Sequence, residues 1–190
     1  CYDMIAYAKQ NNYTVIVSSS DATDHSLDYL QQGADFIIIG EVEVTLQQLI
    51  NTLQTESTYF ESINGIAYLQ ENKLIKTISR PVLTDLDNLP FPAWKFIQMK
   101  DYQRAWLRKS GYFSLNMTTT RGCPFKCNWC AKPIYGNRYN SRSVKHVIAE
   151  LKYLNQIFDF DHIWFCDDIF GLKPGWVEEF AKAVANEKLT

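Results

Sequence analysis

The chain has 190 residues, 46% of them hydrophobic and 21% charged, with a formal net charge of −2, an ordinary globular composition that fits one or two domains. No basic excess and no run of like charge favours a nucleic-acid or membrane-surface partner, and no apolar run approaches the roughly 20 residues of a membrane span. No secretory signal opens the chain, and five cysteines, an odd number and mostly clustered, fit a reducing, cytoplasmic compartment better than a disulfide framework. The sequence begins at Cys1 on helix-like residues and stops after another helix, so a fragment of a longer protein is expected.

The first half alternates helix and strand. Residues 2–10 read as a helix, and Tyr13 to Val17, a β-branched run, as a buried strand. Ser18 to Asp24 reads as a polar loop, and Ser26 to Gln32 as a short helix closed by Gly33. Phe36 to Ile39 is a second buried strand, ended by Gly40. Leu46, Leu49, Ile50 and Leu53 recur at helical spacing, with Thr45 and Gln48 placed for a capping box. Strands apolar on both faces between helices argue a parallel sheet, an α/β fold class. Ligands of such sheets bind beyond the carboxyl ends of the strands, where Ser18–Asp24 and Gly40–Val44 fall. Glu41 and Glu43 are expected there as solvated carboxylates, and His25 as an exposed loop histidine.

Apolar positions on either side of Glu71-Asn72 over 63–79 predict a β-hairpin. Residues 80–94 hold Pro90 and Pro92, which exclude a helix interior; this is an extended connector that packs its apolar residues along the protein. Residues 95–111 are mixed in character and support no single assignment. Tyr112 to Met117 reads as a strand that runs into a cysteine-bearing loop. Val144, Val147, Ile148, Leu151 and Leu154 form a helical stripe with Ser143 as N-cap. His162 to Cys166 is another strand, with Cys166 as a core residue, followed by Asp167 and Asp168. A last helical stripe runs over Val177, Phe180, Ala181 and Val184. Both chemistry-bearing loops thus follow strands of consecutive βα units. Arg138 and Arg142 are read as solvated loop residues.

The loop Cys123-Pro-Phe-Lys-Cys127-Asn-Trp-Cys130 presents three thiols in a C-x3-C-x2-C spacing, bracketed by Gly122 and Pro133. Three readings stand. A structural zinc site would take Cys127 and Cys130 as one pair, Cys123 as a third ligand, and Cys166, His146 or His162 as a fourth, although no second compact pair exists. Burial of all three as core residues fits poorly with Lys126 and Asn128 between them. An iron–sulfur cluster on three thiolates would leave one iron open for a ligand.

At this point the residues resemble a known family. Thr120-Arg-Gly-Cys123-Pro-Phe-Lys-Cys127-Asn-Trp-Cys130, following a strand, is similar to the cluster loop of the radical S-adenosylmethionine (SAM) enzymes. Gly33-Ala-Asp and Gly40-Glu-Val-Glu43 resemble the cobalamin-binding domain of one subgroup, Asp85 to Trp94 its linker, and Phe165-Cys-Asp-Asp-Ile-Phe170 its second barrel strand. The resemblance implies a partial Rossmann-like, cobalamin-binding-type domain over 1–58, a hairpin and linker over 59–111, and the first βα units of a radical SAM barrel over 112–190.

It further implies that Cys123, Cys127 and Cys130 ligate a 4Fe–4S cluster whose fourth iron binds SAM. Reductive cleavage would give methionine and a 5′-deoxyadenosyl radical, which starts methyl transfer, cyclisation or rearrangement on an unknown substrate. Trp129 would lie near the adenine, and Asp167 and Asp168 would face the same pocket. A flavodoxin- or ferredoxin-like donor would supply the electron, and cobalamin would be a cofactor of the full-length protein. No catalytic residue is assigned; substrate contacts are expected from later strands. Two departures stand out: no D-x-H-x-x-G segment supplies a cobalamin-ligating histidine, and Ser18-Ser19 stands where many relatives carry a glycine pair. The fragment by itself is expected to be inactive.

Overall fold

The computed structural model of the chain describes residues 1–55, 59–130, 135–187 and 189. Two compact units form, one over Cys1–Val82 and one beginning at Leu83.

In the first unit, α1 (Tyr2–Gln10) precedes β1 (Ile16–Ser18), α2 (Ser20–Asp24), α3 (Ser26–Gln31), β2 (Phe36–Ile38) and α4 (Glu43–Gln54). β3 (Ile66–Gln70) and β4 (Lys73–Lys76) complete one sheet in the order β1-β2-β3-β4. β1 and β2 are parallel, Val17 opposite Ile37, whereas β3 runs antiparallel to β2 and to β4. The sheet is therefore mixed. Its hairpin turns at Glu71 (φ 48°) and Asn72 (φ 61°), the left-handed pair that a two-residue turn of primed type requires. β2, in the middle, is buried throughout, with Ile37 and Ile38 fully enclosed. Ile5, Leu30 and Ala67 pack as one cluster, and Phe36, Leu49 and Ile66 as another.

Three expectations change here. Tyr13 to Val17 is not a buried strand: Tyr13 is exposed, and the edge strand β1 is at best half-buried. The polar stretch after it is helical from Ser20, because the Ser19 hydroxyl accepts from Ala22 N at 2.9 Å and caps the turn. Thr45 is not an N-cap. It lies inside α4, fully buried, and its hydroxyl accepts from Arg80 Nε at 2.8 Å while Gln48 accepts from the same guanidinium. The Thr-x-x-Gln spacing serves to hold the Arg80 guanidinium, on the chain beyond the hairpin, with two neutral acceptors rather than to start a helix.

In the second unit, the connector carries one 3-10 turn at Leu86–Asn88 and another at Trp94–Phe96. Residues 99–110, left without assignment by the sequence, form the exposed helix α5 (Met99–Ser110), closed by Gly111 at φ 78°. β5 (Ser114–Met117) and β8 (His162–Phe165) pair in parallel, Leu115 opposite Ile163. β6 (Thr120–Arg121) and β7 (Asn140–Ser141) form a two-residue antiparallel ribbon. α6 (Val144–Ile157) starts at Ser143, whose hydroxyl accepts from His146 N at 3.1 Å as the sequence predicts. α7 (Trp176–Glu187) ends the described order. Phe113, Leu115, Met117, Val147, Leu154 and Trp176 form the core between strands and helices. Cys166 is exposed rather than a core residue: it follows a strand whose side chains alternate between exposed and half-buried.

Candidate cofactor site at the carboxyl edge of β5 and β8

The two strands end together. The ladder closes with Cys166 N donating to Met117 O at 2.8 Å, so the loop after β5 and the Asp167-Asp168 pair after β8 leave the same edge. Beyond it, Thr118 to Thr120 lead through β6 into Gly122 (φ +82°) and then Cys123. That left-handed φ is open to glycine at no steric cost, and it turns the chain out of the ribbon into the thiol loop.

The base of the loop is clamped. Thr120 faces Ser141 and Arg121 faces Asn140 across the ribbon. Thr120 Oγ1 donates to Ile169 O at 3.1 Å, and the Tyr139 hydroxyl accepts from Leu172 N at 3.0 Å. Asp167 accepts from Thr119 N at 2.6 Å, from Thr120 N at 2.9 Å and from the Thr119 hydroxyl. Thr119 is fully buried and Thr120 nearly so.

Arg142 is not the solvated residue its composition implies. Its Nη1 donates to Thr118 O at 2.8 Å, its Nε to His146 Nδ1 at 3.0 Å, and its Nη2 stands 2.6 Å from Glu150 Oε2. Glu150 is 1% exposed; its other oxygen accepts from Trp94 Nε1 at 3.2 Å. Oε2 accepts no aligned hydrogen bond, so charge holds that pair. Asp87 Oδ1 accepts from Ser143 N at 2.9 Å and lies 3.4 Å from His146 Nδ1. Burial works to raise the Asp87 pKa, but the hydrogen bonds from Ser143 and the charges of His146 and Arg142 outweigh it and hold the carboxyl below its usual value. Burial first, then Arg142, pushes His146 below its ordinary value.

Within the loop, Cys123 is half-buried, Cys127 and Cys130 are exposed, and all three are free thiols. Cys130 N donates to Cys127 O at 3.4 Å, a turn that folds that pair together. Trp129 is 90% exposed. Among the described residues no three Cys, His, Asp or Glu side chains converge as a metal-holding group. The donor set nonetheless suits an iron–sulfur cluster by its chemistry: three soft, unpaired thiols on one short loop. Residues 131–134, including Pro133, lie outside the described residues. The histidines weighed for zinc are engaged elsewhere, His146 as above and His162 through Nδ1 with Ser114 Oγ at 2.9 Å.

Of the acidic pair, Asp168 is exposed, while Asp167 is committed to Thr119 and Thr120. No sequence pattern announced that commitment, since the partners lie 47 and 48 positions away. In the first unit, Glu41 is buried at 7% exposure, not solvated. His25 is exposed beside Asp28, as expected.

No family model matches the chain. It is 31% identical over 156 residues to an uncharacterized methyltransferase of Pyrococcus horikoshii, covering 82% of this chain and 33% of the relative. It is 25% identical over 181 residues to an anaerobic magnesium-protoporphyrin IX monomethyl ester cyclase of Synechocystis, covering 94% and 35%. The chain thus spans about a third of the length of these curated relatives. Among solved structures, the cobalamin-dependent S-adenosylmethionine radical enzyme OxsB, with aqua-cobalamin and S-adenosylmethionine bound, superposes with a TM-score of 0.73 at 20% identity over 96% of this chain and 26% of its own. The radical S-adenosylmethionine methyltransferase TsrM of Kitasatospora setae, with cobalamin and a [4Fe-4S] cluster bound, gives 0.70 at 17% identity over 98% and 36%. The chain is similar to these proteins over most of its length and has the α/β fold of a segment of the two solved enzymes.

Proposed function

We propose that this chain is the cofactor-bearing segment of a radical SAM enzyme of the cobalamin-domain subgroup. Cys123, Cys127 and Cys130 would hold a 4Fe–4S cluster, and the iron without a protein thiolate would take SAM. One observation carries the reading: three free thiols stand on a loop clamped at both ends, at the carboxyl edge of a parallel strand pair. Such a cluster, when bound, supplies the electron that cleaves the SAM sulfonium reductively.

The chain's own residues have definite tasks in this reading. The thiols bind as thiolates, so cluster assembly releases protons and is favoured at higher pH. Trp129 offers an exposed aromatic face to the adenine. Asp168, at the same strand edge, is the carboxylate free to meet the ribose or amino group. The reaction that follows is methyl transfer, cyclisation or rearrangement; relatives that include methyltransferases and a cyclase support this range. A flavodoxin- or ferredoxin-like protein would donate the electron in a cytoplasmic, reducing setting. No helix among the described residues is long and apolar enough to cross a membrane.

Cobalamin has a weaker claim on the residues of this chain. His25 is the one histidine of the first unit, and it is exposed beside Asp28 at 3.8 Å on the α2–α3 junction. Ser19, where a glycine would allow a ligand close to the backbone, has its hydroxyl tied into the α2 cap. The residues present do not fit a histidine-ligated cobalamin, so that cofactor is assigned to the longer protein alone.

The test is anaerobic reconstitution with iron and sulfide, followed by absorption and EPR spectroscopy before and after SAM is added. A cluster whose spectrum changes with SAM is expected. Tight uptake of one zinc without cluster formation would sink the reading in favour of a structural zinc module. A redox-active cluster indifferent to SAM would mark an electron carrier instead.

A further inference from the structure

The threonines between β5 and the thiol loop are gripped from two sides by charged side chains. Asp167 takes the amides of Thr119 and Thr120 and the Thr119 hydroxyl. Arg142 takes the carbonyls: its Nη1 donates to Thr118 O and its backbone N to Thr119 O at 2.9 Å. Arg142 is itself fixed from behind by Glu150, and its own carbonyl accepts from Trp176 Nε1 at 2.9 Å. Past Thr120 come Arg121, Gly122 and Cys123.

We propose that Asp167 and Arg142 are positioning residues that set the direction in which the thiol loop leaves the strand edge. The inference rests on the reading of that loop as a cofactor loop. Asp167 acts at a distance from the cofactor, through Thr119 and Thr120, and is not one of its contacts. The parallel ladder ends at Met117 and Phe165, so Asp167 supplies the partner that the Thr119 amide would otherwise lack. Hydrogen bonds to an ionised acceptor are about twice as strong as neutral ones. Loss of this carboxylate therefore loosens the loop's root while the core of Leu115, Met117, Val147 and Leu154 still holds the unit.

The test compares wild type, D167A and D167N in this chain, metal-free, by the alkylation rate of each cysteine with iodoacetamide. Half-buried Cys123 should react about tenfold faster in D167A, the scale of local opening when a charged hydrogen bond is lost. Exposed Cys127 should change little, and D167N, whose amide oxygen still accepts from both backbone N–H groups, should return Cys123 towards wild type. An unchanged Cys123 rate in folded D167A overturns the proposal. If D167A does not fold, T119V, which removes only the hydroxyl contact, must still raise the Cys123 rate, and no rise overturns it. A second readout uses the reconstituted protein: D167A should hold as much iron as wild type but give an altered EPR signal on SAM addition. A wild-type chain that builds no cluster would sink the cofactor reading, while the alkylation rates would still decide the role of Asp167.

Discussion

Arg142 meets Glu150 at 2.6 Å where Glu150 is only 1% exposed. Breaking such a pair strands a charge in the interior, a cost of about 3–5 kcal/mol, whereas exchanging both partners for apolar residues of similar volume is often neutral. R142A should therefore lower unfolding free energy by about that amount in urea titrations, and R142M/E150M by much less. Equal losses in the two variants would show that the pair's charge is not what holds α6 to the loop.

Acid should weaken the same junction, and the sign follows from two groups. His146 titrates below its ordinary 6.5 because burial and Arg142 disfavour its charged form. As pH falls below 6.5 the unfolded chain takes the proton first, so stability present above that value is lost through the folded pKa. Asp87 is also held below its ordinary 3.8, so its contribution is present above 3.8 and disappears as pH falls through its folded value. Urea midpoints followed from neutral to acid should drop in two stages, and H146Q should flatten the first.

Cluster assembly should separate the cysteines. C127A should abolish iron retention after reconstitution. C166A should retain it, and because Cys166 is exposed its stability should shift by less than about 0.5 kcal/mol. Iron content and absorption spectra read both. Loss in both variants would mean that the ligand set differs from the three loop thiols.

The first unit offers a titration of its own. Tyr29 donates to Asp21 Oδ2 at 2.5 Å, and its pKa is pushed up to about 12, first by that hydrogen bond, then by burial and by the charge of Asp21. The raised value means that its contribution to stability is present below the ordinary 10 and is lost as pH rises through about 12. In D21N, ultraviolet titration should show Tyr29 ionising at lower pH than in wild type.

Local chemistry was legible in the sequence wherever it was decided by neighbours. The hairpin at Glu71-Asn72, the Ser143 cap, the buried run Phe36 to Ile38 and the strand-loop-helix setting of the thiols all follow from short-range pattern. What escaped was decided at long range. Thr45 and Gln48 looked like a cap because nothing in their own segment reveals Arg80. Arg142 looked solvated because its partners Thr118 and Glu150 lie on other elements. Helix α5 has no buried residue and is polar overall, so its stretch read as mixed in character. Asp167 and Asp168 are adjacent in sequence and alike in chemistry, and only the fold tells them apart.

The ribbon that pairs Arg121 with Asn140 carries a consequence for how such a chain can change. It makes the two ends of the thiol segment neighbours whatever lies between them. Because doubling a loop costs only about 0.6 kcal/mol in closure entropy, that segment behaves as a cassette. Insertions beyond Cys130 could reshape what lies over the strand edge while the socket, fixed by Thr120, Ser141 and their clamps, stays as it is.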